Sequence, residues 1–218
     1  VTVEAGLGTG IEVAFEEGTS FQTTLASQEF LPEGGERVLL EPLVAVVLGA
    51  LRQTGDVLHM LELAAGVPNH PLLLVADEIS GDAARTCVMN DRKGQLRIVA
   101  VRTPGIGEWR QRYLRDMAAL AGADAVDPLC GRSPQHWELG WFGLLRRAAV
   151  TKNRIVLHAS EDAQQAVAVR RAEIAAEAVG CAHDYDRDRH AERAAALGGS
   201  LCVIKVGGMT EAEARARR

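Results

Sequence analysis

The chain has 218 residues, 47% of them hydrophobic, and a formal charge of −5 from 24 basic and 29 acidic side chains. That length fits one domain, or one domain with stubs of a second. The apolar fraction excludes a disordered chain, and the acidic balance argues against a protein that holds nucleic acid on a basic patch. With only 3 Trp, 2 Tyr and 4 Phe, the core must be built mostly from Ala, Val and Leu.

The N-terminus, Val1 to Glu4, has no basic start, so no signal peptide is expected there. The loop Gly6-Leu7-Gly8-Thr9-Gly10 invites a phosphate-binding reading, but it leads into the strand-like Ile11 to Phe15 rather than into a helix, and it lacks the Lys-Ser/Thr of a P-loop. A plain loop is the better reading. Gly34-Gly35 reads as a hairpin turn before a strand at Arg37 to Glu41. The runs Leu43 to Leu48 and Leu72 to Ala76 are continuously apolar, as in strands covered on both faces. Between them Asp56 to Ala65 is helical, with Val57, Leu58, Met60, Leu61, Leu63 and Ala64 spread over more than one face.

Ser80-Gly81-Asp82 opens a second helix to about Asn90, again with its apolar residues on more than one face: Ala83, Ala84, Cys87, Val88 and Met89. A strand at Leu96 to Arg102 and the turn Pro104 to Gly107 lead to a third helix ending near Leu120. Further strands are expected at Ile155 to Leu157 and Leu201 to Val206. Between these two strands, Ser160 to Leu197 is Ala- and Arg-rich with a break near Gly180, the pattern of two surface helices packed as a hairpin. Thr210 and Glu213 form a capping box, so a new helix is expected where the chain stops. The start at Val1 and the charged run Glu211 to Arg218 read as the ends of a piece of a longer protein.

No run approaches the ~20 apolar residues of a membrane-spanning helix. Cys87, Cys130, Cys181 and Cys202 are scattered without metal-site spacing, which favours reduced thiols, a cytoplasmic location and no zinc. Asp184, Asp186 and Asp188 alternate like a calcium loop. The Gly and Glu such a loop requires are replaced by Arg189 and Ala195, so a solvated helix start with Asp–Arg pairing is the better reading. His183 and His190 read as surface groups. Asp77-Glu78, after a buried strand, reads as a polar approach to a helix rather than as a pair of enzymatic acids. The surplus of apolar positions on the first two helices is more informative, because exposed apolar patches often mark binding surfaces.

The chain resembles the apical domain of bacterial GroEL-type (group I) chaperonins. Four stretches carry the match. The first is Glu17-Gly18 with Phe21 and Ser27 to Phe30. The second runs from Pro71 through Asp77-Glu78 to Gly81-Asp82-Ala83 and Asn90. The third runs from Val99 through Pro104 to Glu108, then Arg110, Leu114, Asp116 and Leu120. The fourth runs from Asp184 through Glu192-Arg193 and Gly198-Gly199 to Val203 through Gly207 and Thr210-Glu211. Agreement is weakest from Val126 to Val150, where Trp137 and Trp141 have no counterpart.

The resemblance implies an α/β fold of the GroEL apical type, three-layer α/β/α (swivelling β/α) with a C-terminal helical hairpin. It implies an intermediate-domain stub over 1–17, an apical polypeptide-binding domain over 18–199 and a second stub over 200–218. It further implies an apolar groove between two helices that captures non-native polypeptides and the mobile loop of a GroES-type co-chaperonin. The matching positions are Leu25, Glu29 and Phe30 in an extended segment, Leu58 and Leu61 on the first helix, and Ala84, Val88 and Met89 on the second. Gly18, Gly198 and Gly199 match the hinge glycines. By the same resemblance the parent is an ATP-driven ring of identical subunits, with ATP and Mg bound in an equatorial domain outside this chain. The chain itself is then a monomer without cofactor, metal or enzymatic activity. Glu29 stands where the family usually has an aromatic residue, and Ala84 where it has a larger aliphatic one, so a weaker groove or a groove for basic or more polar clients is expected. A paralogue turned scaffold or specialised binder, and a free-standing α/β enzyme, are the alternatives.

Overall fold

The apolar runs at Leu43 and Leu72 form adjacent strands at the centre of the molecule. The structure, a computed structural model, describes residues 2–5, 11–33, 35–103, 105, 107–181, 183–198 and 200–206; for 2–5, 11–17 and 200–206 it gives the strand pairing alone. The chain begins with strands β1 (Thr2–Ala5), β2 (Ile11–Glu17), β3 (Thr19–Gln22), β4 (Thr24–Leu25), β5 (Glu36–Leu40) and β6 (Leu43–Leu51). Helices then alternate with strands: α1 (Thr54–Ala65), β7 (Leu72–Ile79), α2 (Gly81–Arg92), β8 (Ile98–Arg102), α3 (Glu108–Ala121) and β9 (Ala125–Val126). After short 3-10 turns come β10 (Gly143–Thr151), β11 (Arg154–Ala159), α4 (Gln164–Val179), α5 (Asp184–Ala196) and β12 (Ser200–Val206).

Parallel pairing joins β9, β6, β7 and β8, with Leu43 opposite Leu72 and Leu72 opposite Ile98; β4 adds an antiparallel edge on β8. Val44 to Val47, Leu72 to Ala76 and Ile98 to Val101 are all fully buried, which is why these runs lack the alternation of a half-exposed strand. Strands β6, β7 and β8 advance across the sheet in one direction, so right-handed crossovers place α1 and α2 on one face. The chain then returns to β9 on the far side of β6, which carries α3 across the other face, where it packs against α4.

Strand β10 was the least legible element. Its first residues, Gly143 and Leu144, pair with Val44 and Leu43; Leu145 pairs with Ala159 of β11, and beyond a register shift between Leu145 and Arg147 the strand pairs with both β5 and β11, while β11 pairs with β3. It thereby joins the parallel sheet to an antiparallel one. Gly143 is fixed by sterics, because a Cβ there would lie 2.7 Å from the Ala123 nitrogen and nearer still to the Ala121 carbonyl. A separate sheet has β12 between β1, which is parallel to it, and β2, which is antiparallel.

Helices α4 and α5 bury little apolar surface of their own, mainly Ile174 and, just past α5, Leu197. A carboxylate holds them instead. Asp116 of α3, 1% exposed, accepts Arg193 Nε at 2.7 Å, Arg193 Nη2 at 2.8 Å and Arg170 Nε at 2.8 Å. Among the described residues no helix is long and apolar enough to cross a membrane.

Candidate functional site

Helix α1 buries Val57, Met60, Leu61 and Ala64, and α2 buries Ala83, Cys87 and Val88. Each helix keeps one large apolar side chain outside: Leu58 is 45% exposed and Met89 is 49% exposed. The Thr54 and Thr86 hydroxyls meet at 3.1 Å and tie the two helices together. Thr54, Leu58 and Leu61 share a helical stripe at i, i+4 and i+7, and Met89 lies one turn beyond Thr86. Both exposed side chains therefore flank the seam between α1 and α2.

The two helix starts meet at one turn, around Arg52. The Asp56 carboxylate accepts the backbone N–H groups of Arg52 and Gln53, both at 2.9 Å, and closes the N-terminus of α1. Burial pulls this carboxyl upward, but those N–H groups and the Gln135 amide hold it below the usual carboxylate range. Gly81 opens α2 at φ +58°, and a Cβ there would meet the Arg52 carbonyl at 2.9 Å. The N–H of Ala83 donates to that same carbonyl at 3.1 Å, so α2 begins directly on the turn that precedes α1.

Beside α2 the chain from Ala26 to Leu31 is clamped in place. Ala26 N–H donates to Ala100 O at 2.9 Å, and Arg37 Nη1 donates to Phe30 O at 3.0 Å. The Arg37 guanidinium also forms a two-pronged pair with Asp91 at 2.6 and 2.7 Å, and Asp91 in turn accepts the N–H of Ile98. At the outer edge Glu29 pairs with Arg92 at 2.6 Å.

The expected groove residues thus fall at different depths. Leu58 and Met89 are exposed and Ala84 is half-buried, whereas Leu61 and Val88 lie beneath them. Leu25, in β4 opposite Val101, and Phe30 are core residues, so they support the extended segment from below. The expected cost of burying Glu29 does not arise, because its side chain is 47% exposed and ion-paired. The sequence reading had no signal for Thr54, Thr86, Arg37, Asp91 or Arg92, whose roles depend on partners distant in the chain.

Glu78 pairs with Arg52 at 2.8 Å and accepts Ser80 Oγ, and these bonds hold its carboxyl low. Asp77 is pushed up by burial against the pull of Arg110. Burial drives the Cys87 thiol up to about 12, which removes it as a nucleophile. Asp184 opens α5 and pairs with Arg187 at 2.8 Å. His190 corrects the sequence reading: it is 1% exposed, not a surface group, because α5 turns it inward onto α3. No group of three or more His, Cys, Asp or Glu able to hold a metal occurs among the described residues.

Gly18 has φ +132°, and a Cβ there would press on Val156, Leu157 and His158 at 3.0–3.1 Å; at Gly198 a Cβ would meet Ala195 O at 2.9 Å. Gly199, Gly34, the loop 6–10 and the capping box at Thr210 and Glu213 lie outside the described residues.

No family model matches the sequence. Among solved structures, the chain is similar to the chaperonin gp146 from the bacteriophage EL 2 (Pseudomonas aeruginosa), crystallised in the presence of ATP-BeFx. The TM-score is 0.73 at 18% identity, over 99% of this chain and 42% of that one. The chain therefore has a chaperonin-like fold and spans less than half the length of that chaperonin.

Proposed function

We propose that this chain is the polypeptide-binding apical domain of a chaperonin of the GroEL type, and that the α1–α2 face captures non-native polypeptides. One observation carries the reading: Leu58 at 45% exposure and Met89 at 49% flank one interhelical seam with buried Leu61 and Val88 beneath them. Non-native chains expose apolar side chains, and burying them against this face releases about 25 cal/mol per Å². Leucine and methionine adapt to many shapes, which suits a site that must accept unrelated sequences. The mobile loop of a GroES-type co-chaperonin is proposed for the same face, as a strand or an amphipathic helix. Several copies in a ring of identical subunits convert weak single contacts into tight capture. On this reading ATP and Mg act in a further domain of a longer, cytoplasmic protein, the chain alone is monomeric and catalyses nothing, and Gly18, Gly198 and Gly199 are the hinges of a rigid-body swing.

The test is titration of the chain with a reduced, carboxymethylated model protein that cannot fold. Replacing Leu58→Ser and Met89→Ser together removes about 2 kcal/mol of burial and should weaken binding by at least about tenfold. Unchanged affinity, with an unchanged circular dichroism spectrum, refutes the assignment of the face.

The Glu29–Arg92 pair favours a second reading, a paralogue specialised for a charged or polar partner. Under the general-capture reading Glu29→Phe adds apolar area and tightens binding of the unfolded protein. Under the second reading the affinity for that protein is low and stays low.

A further inference from the structure

Helices α3, α4 and α5 meet at a cluster of charged and aromatic side chains around His190. Arg112 Nη1 of α3 lies 2.9 Å from His190 Nε2, and Arg193 Nη1 of α5 lies 3.1 Å from Nδ1. Glu177 Oε2 of α4 is 3.4 Å from Nδ1, and the Trp109 ring of α3 lies against the imidazole at a centroid distance of 5.2 Å. Asp116 is already committed to Arg170 and Arg193.

We propose that His190 is an acid-operated latch that joins α5 to α3 at neutral pH and releases Arg112 on protonation. A neutral imidazole has one donor and one acceptor nitrogen. The arrangement that satisfies most groups has Nε2 accepting from Arg112 and Nδ1–H facing Glu177; Arg193 Nη1, beside Nδ1 at 3.1 Å, then makes no hydrogen bond to the ring and is served by Glu177 Oε2, 3.6 Å away. Protonation turns Nε2 into a donor that faces a guanidinium donor at 2.9 Å, with like charge against like charge. Nδ1–H keeps Glu177, so of the ring's contacts the one lost is that to Arg112 of α3, and Arg193 with Asp116 is left as the polar link between α5 and α3 at this cluster. Arg112 has somewhere to go, since its side chain is 29% exposed and already reaches Glu108 at 3.4 Å.

The charged groups around the ring decide the direction. Arg112 from α3 and Arg193 from α5 oppose a charge on His190; Arg189 of α5 lies beyond, over the Trp109 ring. Glu177 from α4 and Asp186 from α5 favour a charge. Burial and the two arginines prevail, and His190 is held below the ordinary histidine range. The folded chain then takes up this proton at lower pH than the unfolded chain. Its stability is whole at neutral pH and falls as the pH drops below about 6.5. The latch lies on the last helix before β12, where Thr19 Oγ1 donates to Ala196 O at 3.1 Å, so its release loosens the segment that leads from the α/β body to the separate sheet.

The experiment uses the full 218-residue chain. An NMR titration follows the His190 ring, and hydrogen exchange follows the α5 amides at pH 7.5 and 5.5 after correction for intrinsic rates. Protection of α5 should fall by about threefold or more on acidification, in step with the His190 titration. His190→Gln, which keeps a donor and an acceptor but takes no proton, should abolish that pH dependence. Arg112→Gln, a change at a partly exposed position that spares the His190 site if the first variant does not fold, should move the His190 titration upward. A His190 that titrates at or above the ordinary value, or α5 protection that is independent of its titration, overturns the proposal.

Discussion

Gly81 sets the spacing between the two helices of the candidate face. Its φ of +58° and the Arg52 carbonyl, 2.9 Å from where a Cβ would lie, both exclude a side chain. Gly94 has a similar φ of +67° with nothing within 4 Å, so the pair separates conformational strain from collision. Gly94→Ala should cost about 1 kcal/mol and Gly81→Ala at least about 1 kcal/mol more, measured as the difference in urea unfolding free energies. Equal costs would mean that α2 shifts freely on the Arg52 turn. Asp91 makes a different contribution. Its side chain is 12% exposed, and it holds both Arg37 and the Ile98 N–H. Asp91→Ala leaves the Arg37 guanidinium without its carboxylate and should cost about 3 kcal/mol, with the 26–31 segment losing amide protection first. Little of this residue-scale detail was legible beforehand. The glycine before a helix was visible, but an Arg–Asp pair between positions 37 and 91 has no local sequence signature. The burial of His190 was hidden for the same reason: it lies in an Asp- and Arg-rich run that reads as solvated, and its neighbour Arg112 is supplied by α3.

At the scale of elements, the helices α1, α2 and α3 were legible from the placing of their apolar residues and the central strands from continuously apolar runs, because burial on one or both faces dictates these patterns directly. Strand β10 was missed. Its sequence places Arg146 and Arg147 side by side at a register shift, which breaks the alternation, and its pairing is split among β6, β5 and β11. The two-residue strands β4 and β9 are defined entirely by their partners β8 and β6. The 126–150 segment, the part that resisted alignment, is tied to the candidate face: its turn at Pro134–His136 packs on α1, and Gln135 Nε2 donates to Asp56 Oδ1 at 3.3 Å. Asp56 thus links the start of α1 to that turn. Asp56→Ala should destabilise the chain by about 1 kcal/mol at pH 7. Because this carboxyl is held low in the folded state, its contribution is present above the unfolded value of about 3.9 and is lost as the pH falls through the folded one. The difference between wild type and variant should therefore shrink in unfolding curves below about pH 4; a difference that persists there would mean that the carboxylate is not the source.

At the scale of the whole molecule, the sequence pointed to an α/β domain, and the chaperonin-like fold agrees with that class. The depth of the candidate residues was not legible, because the apolar pattern of α1 and α2 is the same whether a side chain is covered or bare. In the folded chain Leu58 and Met89 lie outside, and Leu61, Val88, Leu25 and Phe30 lie inside. The molecule also exposes apolar side chains elsewhere, among them Leu40 at 67% and Val179 at 88%, so exposure alone does not define a binding face. Site-specific photo-crosslinking tests most directly the proposal that non-native polypeptide is held at the α1–α2 seam. A photoreactive residue placed in turn at positions 58, 89, 40 and 179 is presented to an unfolded protein. Strong crosslinking at 58 and 89 with little at 40 and 179 is the predicted result. Equal crosslinking at all four positions, or crosslinking mainly at 40 or 179, would contradict it.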